Sequence, residues 1–477
     1  KVEKFSMVLE MLKPKIAMLF QDGDWRKTSA GLIVMSSIAE YIDDEPTILQ
    51  MVSAVRAQLK ATNVRVRYEA WSALAQFSND HDELVTNETL APEILPEFLQ
   101  GLNDPCNRVV CRSMDAFQLY GQEVERELLE PFVQPMMTKL GQQLQAASLP
   151  IQRRTVTFIA VLAGQMEDGF AQYYQLLMPV LKQIVQTMLH RVEERTLLGK
   201  AFECMSLLAK AVGPAGFRAD AEEIMRAMVQ AATMPNLTSS DPVKEYMMHA
   251  SQRICWTMKE DFLPFVPGIL PGILEKFSIT PKELNAETKG NIKDDDEVEI
   301  SLVAGEDGKP KLMILYTSER EEIKNAVECV HTFVEELGKL YAPFVAQTAQ
   351  ALLPVFDFSI EEIRDLAFET WGELCRSARE GGEAAMLGQL VQEFMQRVLA
   401  TLEKEEKSED PDTDNLKTGI DGLTHCIKKA GPGILSAQQL QHLTQVACRN
   451  LESSFRRREA SRKELAKQEK DDEEDEE

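Results

Sequence analysis

Val66-Arg67-Tyr68-Glu69-Ala70-Trp71-Ser72-Ala73-Leu74-Ala75-Gln76-Phe77 is the stretch on which the fold turns. Ala70, Leu74 and Phe77 follow the i, i+4, i+7 rule, while Arg65, Arg67, Glu69 and Gln76 populate the other side, so the segment reads as an amphipathic helix with one packed stripe and one wet one. The pattern returns: Ala30, Ala70, Met114, Val156 and Gly199 hold equivalent places in successive helices, at intervals of about 40–44 residues. That is the period of HEAT and armadillo units. Far along the chain Ile360, Ile363, Ala367, Trp371 and Leu374 repeat it, and Ile363-Arg364-Asp365-Leu366-Ala367 echoes the opening of the first stretch.

The helix preceding each of these has an aromatic near its start and a proline inside: Pro131-Phe132-Val133-Gln134-Pro135, Tyr173 with Pro179, Pro264-Phe265-Val266-Pro267, and Pro343-Phe344 with Pro354. An internal proline removes a backbone donor and kinks a helix, which is tolerable where neighbours fix the bend. The reading is therefore all-α: a HEAT-repeat solenoid (an α-α superhelix) of paired helices, the first kinked and the second straight. It places helices at 3–20 and 25–41, 45–60 and 63–79, 87–102 and 106–122, 127–146 and 150–165, 169–189 and 192–212, and 218–233 and 241–258. It continues with 262–277 and 319–338, 341–357 and 359–378, 386–403 and 413–430, and a helix from 436. Short helices of this kind bury one face each and leave long surfaces suited to binding proteins.

Two segments break the period. Residues 279–318 carry Lys293-Asp294-Asp295-Asp296-Glu297, then Val298 to Val303, a Gly305-Glu306-Asp307-Gly308 turn and Lys311 to Tyr316. Alternation around a glycine-containing turn signals a β-hairpin, so this is an acidic, hairpin-like insertion, either a solvated loop or a regulatory, partner-contacting one. Arg456 to Lys470 is helical and mixed in charge before seven consecutive acids, Asp471 to Glu477. Such a block reads as a solvated tail or loop, or as an electrostatic lure for basic protein. The expected organisation is HEAT repeats over 1–278, the insertion over 279–318, HEAT repeats over 319–458 and a charged acidic tail or loop over 459–477.

Composition narrows the function. Of 477 residues 44% are hydrophobic and 27% charged, and 52 basic against 77 acidic side chains leave a net charge of −25. The last 22 residues account for little of this, so the acidity is spread along the array. An acidic surface repels phosphate backbones and attracts basic partners; direct nucleic-acid binding is disfavoured. The eight cysteines (106, 111, 204, 255, 329, 375, 426, 448) lie mostly within amphipathic helices and form no CxxC pair, which suggests buried reduced thiols and a reducing compartment. No secretory signal opens the chain, no apolar run suffices to span a bilayer, and a start in mid-helix without Met suggests a piece of something longer.

No catalytic constellation emerges. The six histidines are scattered, without HExxH, GxSxG, Walker or GxGxxG patterns. His81 between Asp80 and Asp82 reads as solvated surface before it reads as a metal site, and no cofactor is expected. What remains is an acid pattern at the ends of second helices: Glu40 with Asp43 and Asp44, Asp80 with Asp82 and Glu83, Glu123 with Glu125, and Glu167 with Asp168. Recurring once per repeat, these fall on one edge of the stack and form either a ladder for the lysines of an extended peptide or ordinary solvated charge. Acids near a helix C-terminus oppose its dipole and cost about 0.3–1 kcal/mol each.

At these residues the sequence resembles the karyopherin beta (importin beta) transport receptors, and within them the importin-5 or karyopherin beta-3 branch. The resemblance is carried by Asp24-Trp25-Arg26-Lys27, Ala30-Gly31-Leu32, Ser36 to Glu40, Arg65-Val66-Arg67-Tyr68, Ala73 to Gln76 leading to Asp80, Leu129-Glu130-Pro131-Phe132, and Tyr173-Tyr174 with Leu177-Met178-Pro179. It implies a monomeric, non-enzymatic import receptor that takes lysine-rich signals, ribosomal proteins and histones. Such a receptor crosses the pore on FG nucleoporins, releases cargo to Ran-GTP, and shuttles between cytoplasm and nucleus without membrane contact. It further implies cargo lysines held at Glu40 and Asp80, with Asp43, Asp82 and Glu83 beside them. In the next repeat the branch has an asparagine where this chain aligns Leu119, with Gln118 and Gln122 adjacent. The main Ran-binding repeats of the family are not in this chain, which looks like a central fragment. Without the resemblance, the array alone fits a HEAT scaffold or a chaperone for basic proteins equally well.

Overall fold

The computed structural model describes residues 2–146, 148–234, 237, 241–285, 298–304, 310–358, 360–406 and 413–475. They fall into two compact units, 1–257 and 258–477. The first unit holds α1 (Val2–Gln21), α2 (Trp25–Ile38), α3 (Glu45–Gln58), α4 (Val64–Asp80), the short α5 (Asp82–Val85), α6 (Ala91–Gly101), α7 (Asn107–Glu123), α8 (Arg126–Ala146), α9 (Leu149–Met166), α10 (Tyr174–Met188), α11 (Arg195–Ala232) and α12 (Pro242–Met258). α2, α4, α7, α9 and α11 pack side by side in that order, and α3, α6, α8 and α10 each pack on the second helix of their own pair. These are the paired helices that the period predicts. The expected division near 212–218 appears inside α11, where Gly213 (φ 68°) breaks the helix ahead of Pro214 with no intervening loop.

Each second helix starts where a short polar side chain or a cross-repeat arginine organises its first turn. Asp24 and Asn63 accept the N–H of Arg26 and Arg65, capping α2 and α4. Arg67 donates through Nε and Nη2 to both oxygens of Asp104, at 2.6 and 3.0 Å, and through Nη1 to the Ala61 and Thr62 carbonyls. Arg153 with Glu194 and Arg195 with Asp241 reproduce the bridge from one repeat to the next. Beneath this ladder an aromatic chain crosses the repeats: Trp71 on Phe98 at 5.0 Å, Phe98 on the edge of Phe117 at 5.2 Å, and Phe117 stacked on Phe158 at 3.7 Å, all fully buried. Aromatic pairs add about 0.5–1.5 kcal/mol each beyond the area they bury.

The second unit holds α13 (Val266–Leu274), β1 (Lys282–Glu283), β2 (Val298–Ala304), β3 (Pro310–Tyr316), α14 (Thr317–Leu337), α15 (Val345–Leu352), α16 (Glu361–Glu380), α17 (Ala384–Glu406), α18 (Thr413–Ala430) and α19 (Ala437–Asp475). The hairpin lies where alternation places it, with β2 antiparallel to β3 and Ile300 opposite Ile314. A third strand, β1, pairs on the far side of β3; two exposed residues carry no pattern that would reveal it. The Lys293–Glu297 run and the Gly305–Gly308 turn lie outside the described residues. Arg456 to Lys470 is helical as expected, and α19 continues into the acidic run as far as Asp475 where a loop or tail was expected. Basic and acidic residues spaced as in Arg456–Glu452 support such a helix.

The proline-bearing first helices also differ from the simple kink expected. Three of them begin as seven-residue 3-10 turns, Glu167–Tyr173, Lys259–Phe265 and Gly338–Phe344, that bend into the following α-helix. The first residue of each turn has positive φ: 46° at Glu167, 51° at Lys259 and 50° at Gly338. Only glycine adopts this backbone without strain, which costs other residues about 1–3 kcal/mol. Lys259→Gly should therefore raise stability by about 1 kcal/mol and Gly338→Ala lower it by about 1–2, both read as shifts in urea midpoint.

Candidate functional site

The edge formed by the ends of α2, α4, α7 and α9 carries the acids singled out from sequence. His81, just past α4, donates from Nε2 to the Ala39 carbonyl at 2.9 Å, which sets the ends of α2 and α4 side by side. Gln165 repeats the device two steps on, between α9 and α7, donating to the carbonyls of Gln122 and Val124. Glu40 stands exposed in the single turn Ala39–Tyr41 that closes α2. Asp80 is the last residue of α4. Its carboxylate accepts from the Gln76 amide at 2.9 and 3.0 Å and from the Asn79 amide at 3.0 Å. Neutral donors thus orient the carboxylate while leaving its charge uncompensated, and among the described residues neither Glu40 nor Asp80 forms an ion pair.

Other acids of the pattern have local work. Asp44 caps α3, accepting the hydroxyl and the backbone N–H of Thr47, which hold its carboxyl below the usual range. Asp82 and Glu83 sit in the first turn of α5, where negative charge complements the helix dipole. Asp43 is exposed beside Asp44. Glu167 is paired with Lys210 at 3.1 Å, and Asp168 with Arg126 at 2.9 Å, which lowers its pKa. Counting back from the caps His81 and Val124 puts the exposed Glu123, and not Leu119, in the place of Asp80. The open acidic positions of the ladder are Glu40, Asp80 and Glu123.

Gln118 and Gln122, the amide positions of the next step, line a cavity of about 280 Å³ between α7, α9, α11 and α12, shared with Thr157, Gln165, Lys200, Glu203, Tyr246 and Arg253. Sequence reasoning passed over the last four. Their signal is a Lys and a Glu three apart on α11, one period after Thr157 and Ala160, where small residues stand. Lys200 donates to Thr157 Oγ1 at 2.6 Å and lies 5.7 Å from the Tyr246 ring centre; burial lowers its pKa against the pull of Glu203. Burial likewise lowers the pKa of Arg253, whose side chain donates to Ser206 Oγ at 3.5 Å. Burial raises the Glu203 carboxyl, with Arg253 and Lys200 opposing. Among the described residues none of these three charges forms an ion pair.

A larger groove of about 460 Å³ lies in the second unit between the first helices α15 and α17, with Trp371 of α16 beneath and Ala346, Ala349, Leu353 and Leu390 along its walls. Cys204, Cys255, Cys329, Cys375 and Cys426 are buried thiols in no disulfide, as expected, whereas Cys106 and Cys111 are half-buried and Cys448 exposed. Among the described residues no cluster of His, Cys, Asp and Glu is placed to hold a metal, and no helix is long and apolar enough to cross a membrane.

The family model "Importin repeat 6" matches residues 415–477. Importin subunit beta-3 of Saccharomyces cerevisiae is 25% identical over 446 residues, covering 91% of this chain and 39% of the relative. A probable importin-5 homolog of Dictyostelium discoideum is 23% identical over 310 residues, covering 63% and 27%. The crystal structure of Kap121p superposes with a TM-score of 0.75 at 23% identity, covering 93% of this chain and 42% of that one; other structures hold Kap121p bound to Pho4p and to Nup53p. The chain thus spans about two fifths of the yeast relative and of Kap121p. The His81 bond is the tie on which the acidic edge depends. His81→Ala should cost about 1 kcal/mol and speed amide exchange at Ile42, whose N–H shares the Ala39 carbonyl, with α7 and α9 unchanged.

Proposed function

We propose that this chain, a member of the importin-beta family in its Kap121p/importin-5 branch, is the cargo-holding segment of a nuclear import receptor that grips lysines of basic proteins along the ends of its second helices. The observation that carries the reading is Asp80: a half-buried carboxylate, oriented by Gln76 and Asn79, with no cation of its own. A lysine ammonium supplies the missing charge and the remaining hydrogen bonds, and Glu40 on the adjoining helix end takes a second. Asp43, Asp82 and Glu83 add to the local potential and to the rate of encounter without fixing geometry. Importins are transport receptors and not enzymes, and ribosomal proteins or histones bearing lysine-rich signals suit an acidic edge of this kind.

The remaining steps follow from the same reading. The groove over Trp371, between neighbouring first helices and with an apolar floor, is of a size to take a phenylalanine ring of an FG nucleoporin. Cargo release rests on Ran-GTP acting mainly through repeats outside this chain, and the receptor shuttles between cytoplasm and nucleus. The binding of Pho4p and Nup53p by Kap121p supports an array that meets both a cargo protein and the pore.

Replacing Glu40 and Asp80 together by Ala should weaken a lysine-rich peptide by about 2–4 kcal/mol in calorimetric titration, with the salt dependence of binding reduced in step. Ala349→Trp should fill the groove and abolish binding of a Phe-Gly repeat peptide while leaving the lysine peptide untouched. A scaffold for basic proteins, by contrast, binds the lysine peptide and never the Phe-Gly one.

A further inference from the structure

The cavity between α7, α9, α11 and α12 has the opposite electrostatic sense to the edge that leads to it. Its walls hold two cations, Lys200 and Arg253, against one carboxylate, Glu203. The neighbouring arginines are already matched, Arg153 with Glu194 and Arg154 with Asp115, and the exposed Glu245 acts on Glu203 and Tyr246 from outside, so among the described residues Lys200 and Arg253 remain the cavity's two cations without an ion pair. Half-buried charges without an ion partner are unfavourable in the empty protein, and a bound lysine would add to the repulsion. A carboxylate placed between Lys200 and Arg253 would instead complete two charge-assisted pairs. The glutamine amides of Gln118, Gln122 and Gln165, on the approach from the acidic edge, can serve the backbone of an extended peptide.

We propose that this cavity binds an acidic side chain of the cargo, and that it thereby fixes which way round a lysine-rich segment lies on the array. The inference rests on Asp80 accepting a cargo lysine. From α4 to α11 there are three helix-to-helix steps, through α7 and α9. At about 8–10 Å each they span roughly 24–30 Å, or about seven to nine residues of extended chain. The preferred segment therefore carries a Glu or Asp about that far from its anchoring lysine, on one side only. The carboxylate of Glu203, facing the same space, limits the affinity and makes the site selective for an anion that both cations can reach.

The test compares three peptides by calorimetry at one salt concentration: lysine-rich with Ala at the eighth position, the same with Glu there, and one with Glu equally far on the opposite side. The first Glu peptide should bind the wild-type chain about tenfold more tightly than the Ala peptide, and the third no better than it. In the chain with K200Q and R253Q the advantage should vanish; in D80A both peptides should weaken together and the ratio survive. Glu203→Gln, nearly isosteric, should increase the advantage about threefold, and so tests the site even where the double variant folds poorly. Equal affinity for the Ala and Glu peptides, or an advantage that E203Q leaves unchanged or reduces, overturns the acidic subsite alone. If neither lysine peptide binds, the lysine edge fails and this inference falls with it.

Discussion

Every helix ends with carbonyl groups that have no partner inside it, and a stack of short helices multiplies that problem. At several junctions of this chain a second helix satisfies the end of its neighbour. His81 reaches Ala39, Gln165 reaches Gln122 and Val124, Arg376 reaches Glu335, Ser377 reaches Gly338, and Arg379 reaches Lys429. Buried carbonyls left unmade would cost about 1–3 kcal/mol each, so the stitching holds the edge as firmly as the aromatic chain holds the core. It also explains why acids can gather there: the donors that tie the repeats together draw electron density off the same helix ends that a carboxylate would otherwise find repulsive.

The distribution of charge follows from this division of labour. Acids that serve the fold are matched, as with Asp104 on Arg67 or Glu373 between Arg376 and Lys429, and for Glu373 the burial that would raise its pKa is outweighed by those two cations. At the edge, Glu40 stands exposed and Asp80 half-buried, the second oriented by amides, with no cation of their own among the described residues. Sequence alone cannot separate the two groups, because pairing across repeats joins residues some forty positions apart and depends on which rotamer reaches the neighbour.

Periodicity made most of the fold legible. Apolar positions one stripe wide, recurring at the HEAT interval, placed the second helices to within a few residues, and strand alternation placed β2 and β3. The 3-10 turns and the strand β1 were not legible, since each depends on packing or on a partner strand and not on local pattern. At the site, Glu40 and Asp80 could be read because acids repeat at helix ends. Asp44 could be read too, but its role could not: a cap and a binding acid look alike in sequence. Lys200, Glu203, Tyr246 and Arg253 converge from two helices, and only the first two leave a trace in the spacing, one period after the small residues Thr157 and Ala160.

The bridges from repeat to repeat are directional. Arg67 faces forward to Asp104, Arg153 to Glu194 and Arg195 to Asp241, and the unit that holds Glu194 and Arg195 presents an acidic side to its predecessor and a basic side to its successor. Units with such matching ends can be duplicated, lost or exchanged in the course of descent without leaving a half-buried charge stranded at the new junction. The ladder that stiffens the present protein is therefore also a grammar for lengthening it.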